Sequence, residues 1–269
     1  MGEILLDLSE RALVAAIERN LAELHVFMAG WPEITVHRAP DLLWTLSRRK
    51  FSLCNVVLDV RFESPGLDAR IAEAMRPYGA AGVNVMWKLG PSTRPEDLGD
   101  HLEPHGLSRL PALRGMAADL AAPVPTRLAV DGVTVHEVTD ATSLDQWQAA
   151  VTRGFGWPSF GAATLAENLA YLGFDGDARA FVALRDARPV GSSLVFFGAG
   201  VAGIYHVSTV PEERRRGTGA AVTTAALLEA RRLGYRAAVL HATEMGYPVY
   251  RRLGFAELCR IGMFRRLVT

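Results

Sequence analysis

The chain has 269 residues, 49% of them apolar, with 29 basic and 29 acidic side chains and a formal net charge of zero. That length suits two modest domains or one large one, and the charge balance excludes a surface dominated by nucleic acid or acidic membrane. Only two cysteines are present, Cys54 and Cys259; both sit in apolar runs and read as small buried thiols of a reducing compartment, and no Cys/His grouping has metal-site spacing.

The opening residues Met1–Leu8 carry acidic side chains and no basic region before an apolar run, so they do not read as a signal peptide. A helix is predicted near Leu8–Leu24, followed by strands near Ile34–His37, Leu42–Ser47 and Leu53–Val60. Leu67–Met75 reads as a helix and Gly82–Lys88 as a strand. Thr93-x-x-Glu96 is expected to cap a helix that ends near His105-Gly106. An Ala-rich helix then leads into the proline-spaced connector Ala121–Thr126, the expected domain boundary.

Beyond the connector, Ser143-x-x-Gln146 reads as a capping box for a helix toward Val151. Gly154–Gly161 is a loop with three aromatics, Thr164-x-x-Glu167 a second cap and Gly173 a helix stop. Strands are expected at Ala180–Leu184, Val190–Phe197 and Gly200–Thr209, a helix at Gly217–Leu233 and a strand at Ala237–His241. A short helix at Gly246–Leu253 and two short strands within Phe255–Leu267 complete the chain. Pro189 to Pro211 holds no charged side chain and is long enough to span a bilayer. Its Gly198-Ala-Gly200 interruption and scattered polar residues fit two buried strands and a tight turn better. Both halves contain three strands, a helix, a strand and a helix in that order, which suggests a degenerate duplication with domains at residues 1–122 and 127–269.

The segment Val207–Ala220 carries the chemistry. It leaves an apolar strand, turns at Pro211, passes Arg214, Arg215 and Arg216, and opens a helix through Gly217-Thr218-Gly219. A helix start offers free N–H groups and the positive end of its dipole, and glycines let the backbone approach an anion. Read alone, the run is also an ordinary solvated charge cluster before a glycine turn. It is not a P-loop, because no Lys-Ser/Thr follows the second glycine, nor a dinucleotide fingerprint, because the third glycine is missing. The second element, Ala242–Phe255, reads by itself as a short amphipathic helix stopped by Gly254.

Together the two elements resemble the GNAT superfamily, the GCN5-related N-acetyltransferases, over roughly Val133 to Leu267. The family pattern R/Q-x-x-G-x-G/A matches Arg214, Gly217 and Gly219; Y-x-x-L-G-F matches Tyr250, Leu253, Gly254 and Phe255. The resemblance implies an α/β fold (α+β in some schemes), a mixed and mostly antiparallel sheet flanked by helices, present once in full and once in degenerate form. It implies acetyl-CoA as co-substrate, no metal, and transfer of the acetyl group to a primary amine on a small molecule or peptide. By this match Arg214, Arg215, Arg216, Gly217, Thr218, Gly219 and Ala220 cradle the pyrophosphate. Val207, Ser208 and Thr209 meet the acetyl-pantetheine end, on a strand that splays from its neighbour. Tyr250 is the implied general acid. Thr243 stands where the family often has a CoA-contacting Asn.

The strand glutamate that serves many members as general base falls at Gly203 here. His206, His241 and Glu244 are the nearby substitutes, none of them singled out; Tyr205 and His206 are expected on opposite faces of the strand. The missing glutamate also supports an alternative, a non-catalytic acyl-CoA-binding or regulatory module. Longer acyl donors such as succinyl-CoA would keep the fold and predict a wider or more basic pocket near the thioester. The aromatic loop, with Trp157 at its centre, reads equally as an acceptor wall or a clamp over the core. Gly82–Pro95 resembles the family's later strand and following helix, so the first half reads as a remnant that can wall the acceptor site. Nucleic acid and membrane are not expected partners, the expected location is cytoplasmic, and a homodimer stays open.

Overall fold

The computed structural model describes residues 2–63, 65–122, 130–174 and 176–268. Helix α1 (Glu10–Met28) precedes strands β1 (Ile34–Ala39), β2 (Leu42–Ser47) and β3 (Val56–Leu58). Helix α2 (Leu67–Ala81), β4 (Val85–Leu89), α3 (Leu98–Leu102) and β5 (Ser108–Asp119) complete the first half. The second half runs β6 (Val133–Glu137), α4 (Ala141–Phe155), α5 (Ser159–Leu172), β7 (Ala178–Arg185), β8 (Arg188–Gly198) and β9 (Val201–Thr209). It ends with α6 (Thr218–Arg232), β10 (Ala237–Ala242), α7 (Tyr247–Arg252) and β11 (Ala256–Arg266).

The described strands form one 11-stranded sheet in the order β1-β2-β3-β4-β11-β5-β10-β9-β8-β7-β6. Pairing is antiparallel except at β3–β4 and β9–β10, so the sheet reads nearly alike from both edges toward its middle. At the middle the last strands are exchanged: β5 pairs with β10 of the second half, and β11 with β4 of the first. The two halves therefore share one continuous hydrogen-bonded ladder.

Period-two alternation places the core on both faces. Leu194 and Phe196 of β8 pack with α4 and α5 around Trp147, whereas Val195 and Phe197 face α6 and its Leu227. Helix α1 lies across the centre: Ile17 and Leu21 pack on strands of both halves, and Leu24 and Met28 reach the α4–α5 core.

Several expectations are corrected. The Ala-rich run before the connector is strand β5, not a helix. Small residues are needed there because α1 and β11 close on it; a Cβ at Gly115 would overlap Cys259 Sγ and lie 3.3 Å from Ile17. Tertiary packing overrides the helix preference of alanine. The N-cap of α4 is Asp140, whose side chain accepts from Ser143 N, so Ser143 is the third helical residue rather than the cap. Thr164 sits inside α5, its hydroxyl donating to Phe160 O (2.8 Å). Thr93 is buried in a turn, and the helix that follows begins only at Leu98. Phe255–Leu267 holds one long bulged strand, not two. The expected strand at Leu53–Val60 shrinks to Val56–Leu58 behind a one-turn helix, and β6 was not foreseen. Of the predicted connector, residues 123–126 lie outside the described residues. Both cysteines are free thiols, Cys54 buried and Cys259 half-buried. Among the described residues no helix is long and apolar enough to cross a membrane, and the Pro189–Pro211 window is the β8–β9 hairpin.

Candidate active site

Strands β9 and β10 pair in parallel only through Ala238–Ala202, Val239–Gly203 and Leu240–Ile204. Beyond that point β10 continues against β5 alone, through His241 and Ala242. The β9 edge from Tyr205 to Thr209 is thus left unpaired on its β10 side. A cavity of about 950 Å³ opens in this gap.

The cavity brings together most of the residues named from the sequence. Val207, Ser208, Thr209, Arg214, Arg215, Gly217, Thr218, Gly219, Ala220, Thr243 and Tyr250 all line it. Arg216 does not; its guanidinium lies 3.4 Å from the Glu213 carboxylate. Helix α6 opens onto the cavity with no side-chain cap at Gly217 and no acidic residue in its first turn. Its first N–H groups therefore keep their hydrogen-bonding capacity, reinforced by the helix dipole. Thr218 Oγ1 is buried there without a partner. Gly217 adopts φ +92°, which a residue with a side chain rarely adopts.

Other side chains are committed to shaping the loop. Arg214 donates to Thr209 O (3.3 Å) and Gly154 O (3.0 Å), tying the end of β9 to the last turn of α4. Ser208 Oγ lies 2.7 Å from Ser192 Oγ and 3.1 Å from Ala150 O, so its hydroxyl faces the core. Gly154 makes that approach feasible, since a Cβ there would overlap Ser208 Oγ. Thr243 Oγ1 accepts from Gly246 N (3.2 Å) at the entry to α7. Tyr250 is buried, its ring edge-on to Phe255 at 6.0 Å and close against Gly246. Burial pushes its phenol above the ordinary tyrosine range, so it holds its proton at neutral pH.

The strand β9 is bulged. Ser192 pairs with Ser208 but Leu194 pairs with Tyr205, so two residues of β9 oppose one of β8. His206 takes φ +48° at this step. A bulge breaks the two-residue alternation, and Tyr205 and His206 both line the cavity instead of facing opposite sides.

Gly203 has a physical reason absent from the sequence. Its side-chain space is filled by Asn20 of α1: a Cβ at Gly203 would overlap Asn20 Oδ1. Asn20 is fully buried, donating to Gly198 O (2.8 Å) and accepting from Tyr205 OH (2.8 Å). A glutamate cannot occupy that position. Glu244 does not line the cavity; it is exposed and paired with Arg114 at 2.7 Å.

The first half supplies part of the wall, from α1 (Leu21, Leu24, His25, Met28) and β4 (Lys88). Sequence reasoning missed His25 and Lys88, which lack any local motif. Lys88 Nζ lies 2.9 Å from His25 Nε2. Burial lowers Lys88 to about 8. Burial first, then the Lys88 charge, lowers His206 to about 4 and His241 to about 3. The same causes hold His25 well below its ordinary value. The three imidazoles are therefore neutral at pH 7. Trp157 lines the cavity, stacks on Phe155 at 4.3 Å, and meets Phe51 (5.2 Å) and His206 (6.2 Å) edge-on. It thus closes the gap between the two halves while facing the site.

Residues 199–258, which hold the splayed strand, the glycine turn and α7, match the family model of the acetyltransferase (GNAT) domain. Over these residues the chain is similar to the GNAT domain. The whole chain is similar in structure to a GCN5-related N-acetyltransferase from Kribbella flavida (TM-score 0.70, 19% identity, 91% of this chain and 95% of that one). A GCN5-related N-acetyltransferase from Sphaerobacter thermophilus superposes with TM-score 0.60 and 18% identity, over 85% and 81% of the two chains. A tandem GNAT protein from the clavulanic acid biosynthesis pathway, solved without acetyl-CoA, matches with TM-score 0.60 and 15% identity, over 97% and 95%. At these identities the likeness is one of fold: a mixed, mostly antiparallel sheet flanked by helices. No curated protein sequence matches the chain. Among the described residues no group of His, Cys, Asp or Glu is placed to hold a metal ion.

Proposed function

We propose that the GNAT domain transfers an acetyl group from acetyl-CoA to a primary amine by direct attack. The observation that carries this reading is the convergence, on one cavity, of an unpaired strand edge, an uncapped helix N-terminus and the buried phenol of Tyr250. The α6 N-terminus, with Thr218 and Arg215, suits a pyrophosphate. The open edge of β9 suits an extended amide chain lying beside it as an added strand, and its N–H groups suit a developing oxyanion.

In this reading the neutral amine nitrogen forms a bond to the thioester carbonyl carbon and gives up one proton. The C–S bond breaks, the departing sulfur takes a proton from Tyr250, and the proton released by the nitrogen restores the Tyr250 phenol, so the products are the amide and the free CoA thiol. With His206 and His241 held at about 4 and 3, neither is a strong base; an amine that arrives neutral needs none. Residues 1–122 serve as the wall that closes the acceptor side, through α1 and β4. Isothermal titration with acetyl-CoA tests the reading, and absence of heat at millimolar ligand refutes it. The filled space at Gly203 favours one second reading, an acyl-CoA-binding module without turnover; thioester consumption with a panel of amines separates the two.

A further inference from the structure

The acyl transfer proposed above does not use one group of side chains in the cavity. His25 of α1, Lys88 of β4, His206 of β9 and His241 of β10 line it together, drawn from both halves of the chain. Lys88 donates to His25 Nε2 at 2.9 Å, so that nitrogen is the acceptor and the imidazole proton sits on Nδ1. His241 is the member of the group with a buried side-chain atom that has no hydrogen-bond partner, its Nε2. Among the described residues lining the cavity, the single acidic one is Glu213. It belongs to the α6 end, and its carboxylate is engaged by Arg185 (3.1 Å) and Arg216 (3.4 Å).

Among the described residues the chamber therefore holds an ammonium, neutral imidazoles and no carboxylate of its own. A sheltered cation without a counter-charge is costly, and so is a buried polar nitrogen without a partner. An occupant that carries a carboxylate removes both costs. It accepts from Lys88 Nζ and from His241, whose neutral ring can present Nε2–H. An acceptor carrying a further positive charge, such as a polyamine, would instead meet Lys88 in a medium where like charges repel strongly. The remaining wall here (Leu21, Leu24, Met28, Ile261, Met263) is apolar and suits a short carbon chain.

We propose that this chamber binds the carboxylate of a substrate, with Lys88 as its counter-charge and His241 as a second donor. The placement beside the transferred group rests on the acyl-transfer reading; the anion site rests on its own residues. Two sources bring the same chemistry: an amine acceptor of the amino-acid type, or a dicarboxylic acyl group on the CoA thioester.

The test compares the wild-type chain with Lys88→Gln and Lys88→Arg. Acetyl-CoA is paired with amino acids and with the matching amino-acid amides; succinyl-CoA is then set against acetyl-CoA with a fixed uncharged amine. The expected result is a preference of at least tenfold in kcat/KM for the carboxylate form in one arm. That preference falls to within twofold in Lys88→Gln and is retained in Lys88→Arg, while the Kd for CoA stays within twofold in both. Preference in the first arm assigns the carboxylate to the acceptor, and in the second to the donor. No preference in either arm, or one that survives Lys88→Gln, overturns the inference. If the wild-type chain binds no acetyl-CoA, the transfer reading fails by itself, and titration with free succinate decides the anion site. Binding that Lys88→Gln abolishes upholds it, and absence of binding, or binding insensitive to Lys88, overturns it. Thermal unfolding of each variant shows that a lost preference is not lost folding.

Discussion

Asn20 and Gly203 form a pair whose coupling can be measured. Asn20→Ala removes the donor to Gly198 O and the acceptor of Tyr205 OH. Two net hydrogen bonds are worth about 1 kcal/mol each, and the stranded Tyr205 hydroxyl adds about 1–2 kcal/mol, so the variant loses roughly 3–4 kcal/mol. Gly203→Ala puts a methyl group onto Asn20 Oδ1 and within 2.6 Å of the Tyr205 ring. The amide is held by its bonds and cannot yield, so overpacking costs about 1–3 kcal/mol. In the double variant the amide is gone and the unanchored Tyr205 ring can move. The second methyl group then costs under about 1 kcal/mol, and the cycle shows a coupling of about 1 kcal/mol or more. Urea unfolding followed by circular dichroism reads all four corners. At about 2–4 °C per kcal/mol in a chain of this size, Asn20→Ala alone lowers Tm by roughly 6–16 °C. Additivity within about 0.5 kcal/mol would refute the claim that Asn20 fills the Gly203 side-chain space.

Other outcomes follow from the same geometry. Gly217→Val forces a side chain onto φ +92° and within 3.1 Å of Val130; calorimetry should show acetyl-CoA affinity reduced at least tenfold, and an unchanged Kd would count against the cradle. Tyr250→Phe should lower kcat by an order of magnitude or more with Kd for acetyl-CoA nearly unchanged, read by thioester consumption against calorimetry. Stability should depend on pH through His25, His206 and His241, whose folded values lie below the unfolded 6.5. Between about pH 4 and 6.5 the unfolded chain binds more protons, so stability is full above about pH 7 and is lost as pH falls through 6.5. Urea midpoints across pH 4–8 check this, and replacing His206 and His241 by Gln should flatten the slope.

The sequence carried the strongly local features. The strand, glycine turn and helix of Val207–Leu233 are contiguous, and their chemistry depends on backbone geometry that Gly217 and Gly219 announce by themselves. Tyr250 was legible for the same reason, three residues ahead of Leu253-Gly254 on one short helix. Cap positions were misplaced where two polar residues competed, as Asp140 and Ser143 do at α4. Strand β5 was misread because its small residues report the closeness of α1 and β11, not a helical preference.

What the sequence by itself determined was the alternation of elements and the glycine-turn end of the candidate site, since both rest on neighbours along the chain. Only the tertiary structure decided the other end. Exchange of β5 and β11 joins the halves in one sheet and lays α1 across it. That places Asn20 in the space at Gly203, and it brings His25 and Lys88 to His206 and His241. The first pair lies more than a hundred positions from the second, and no local pattern marks them, because burial and the absence of a counter-charge are properties of the assembled cavity.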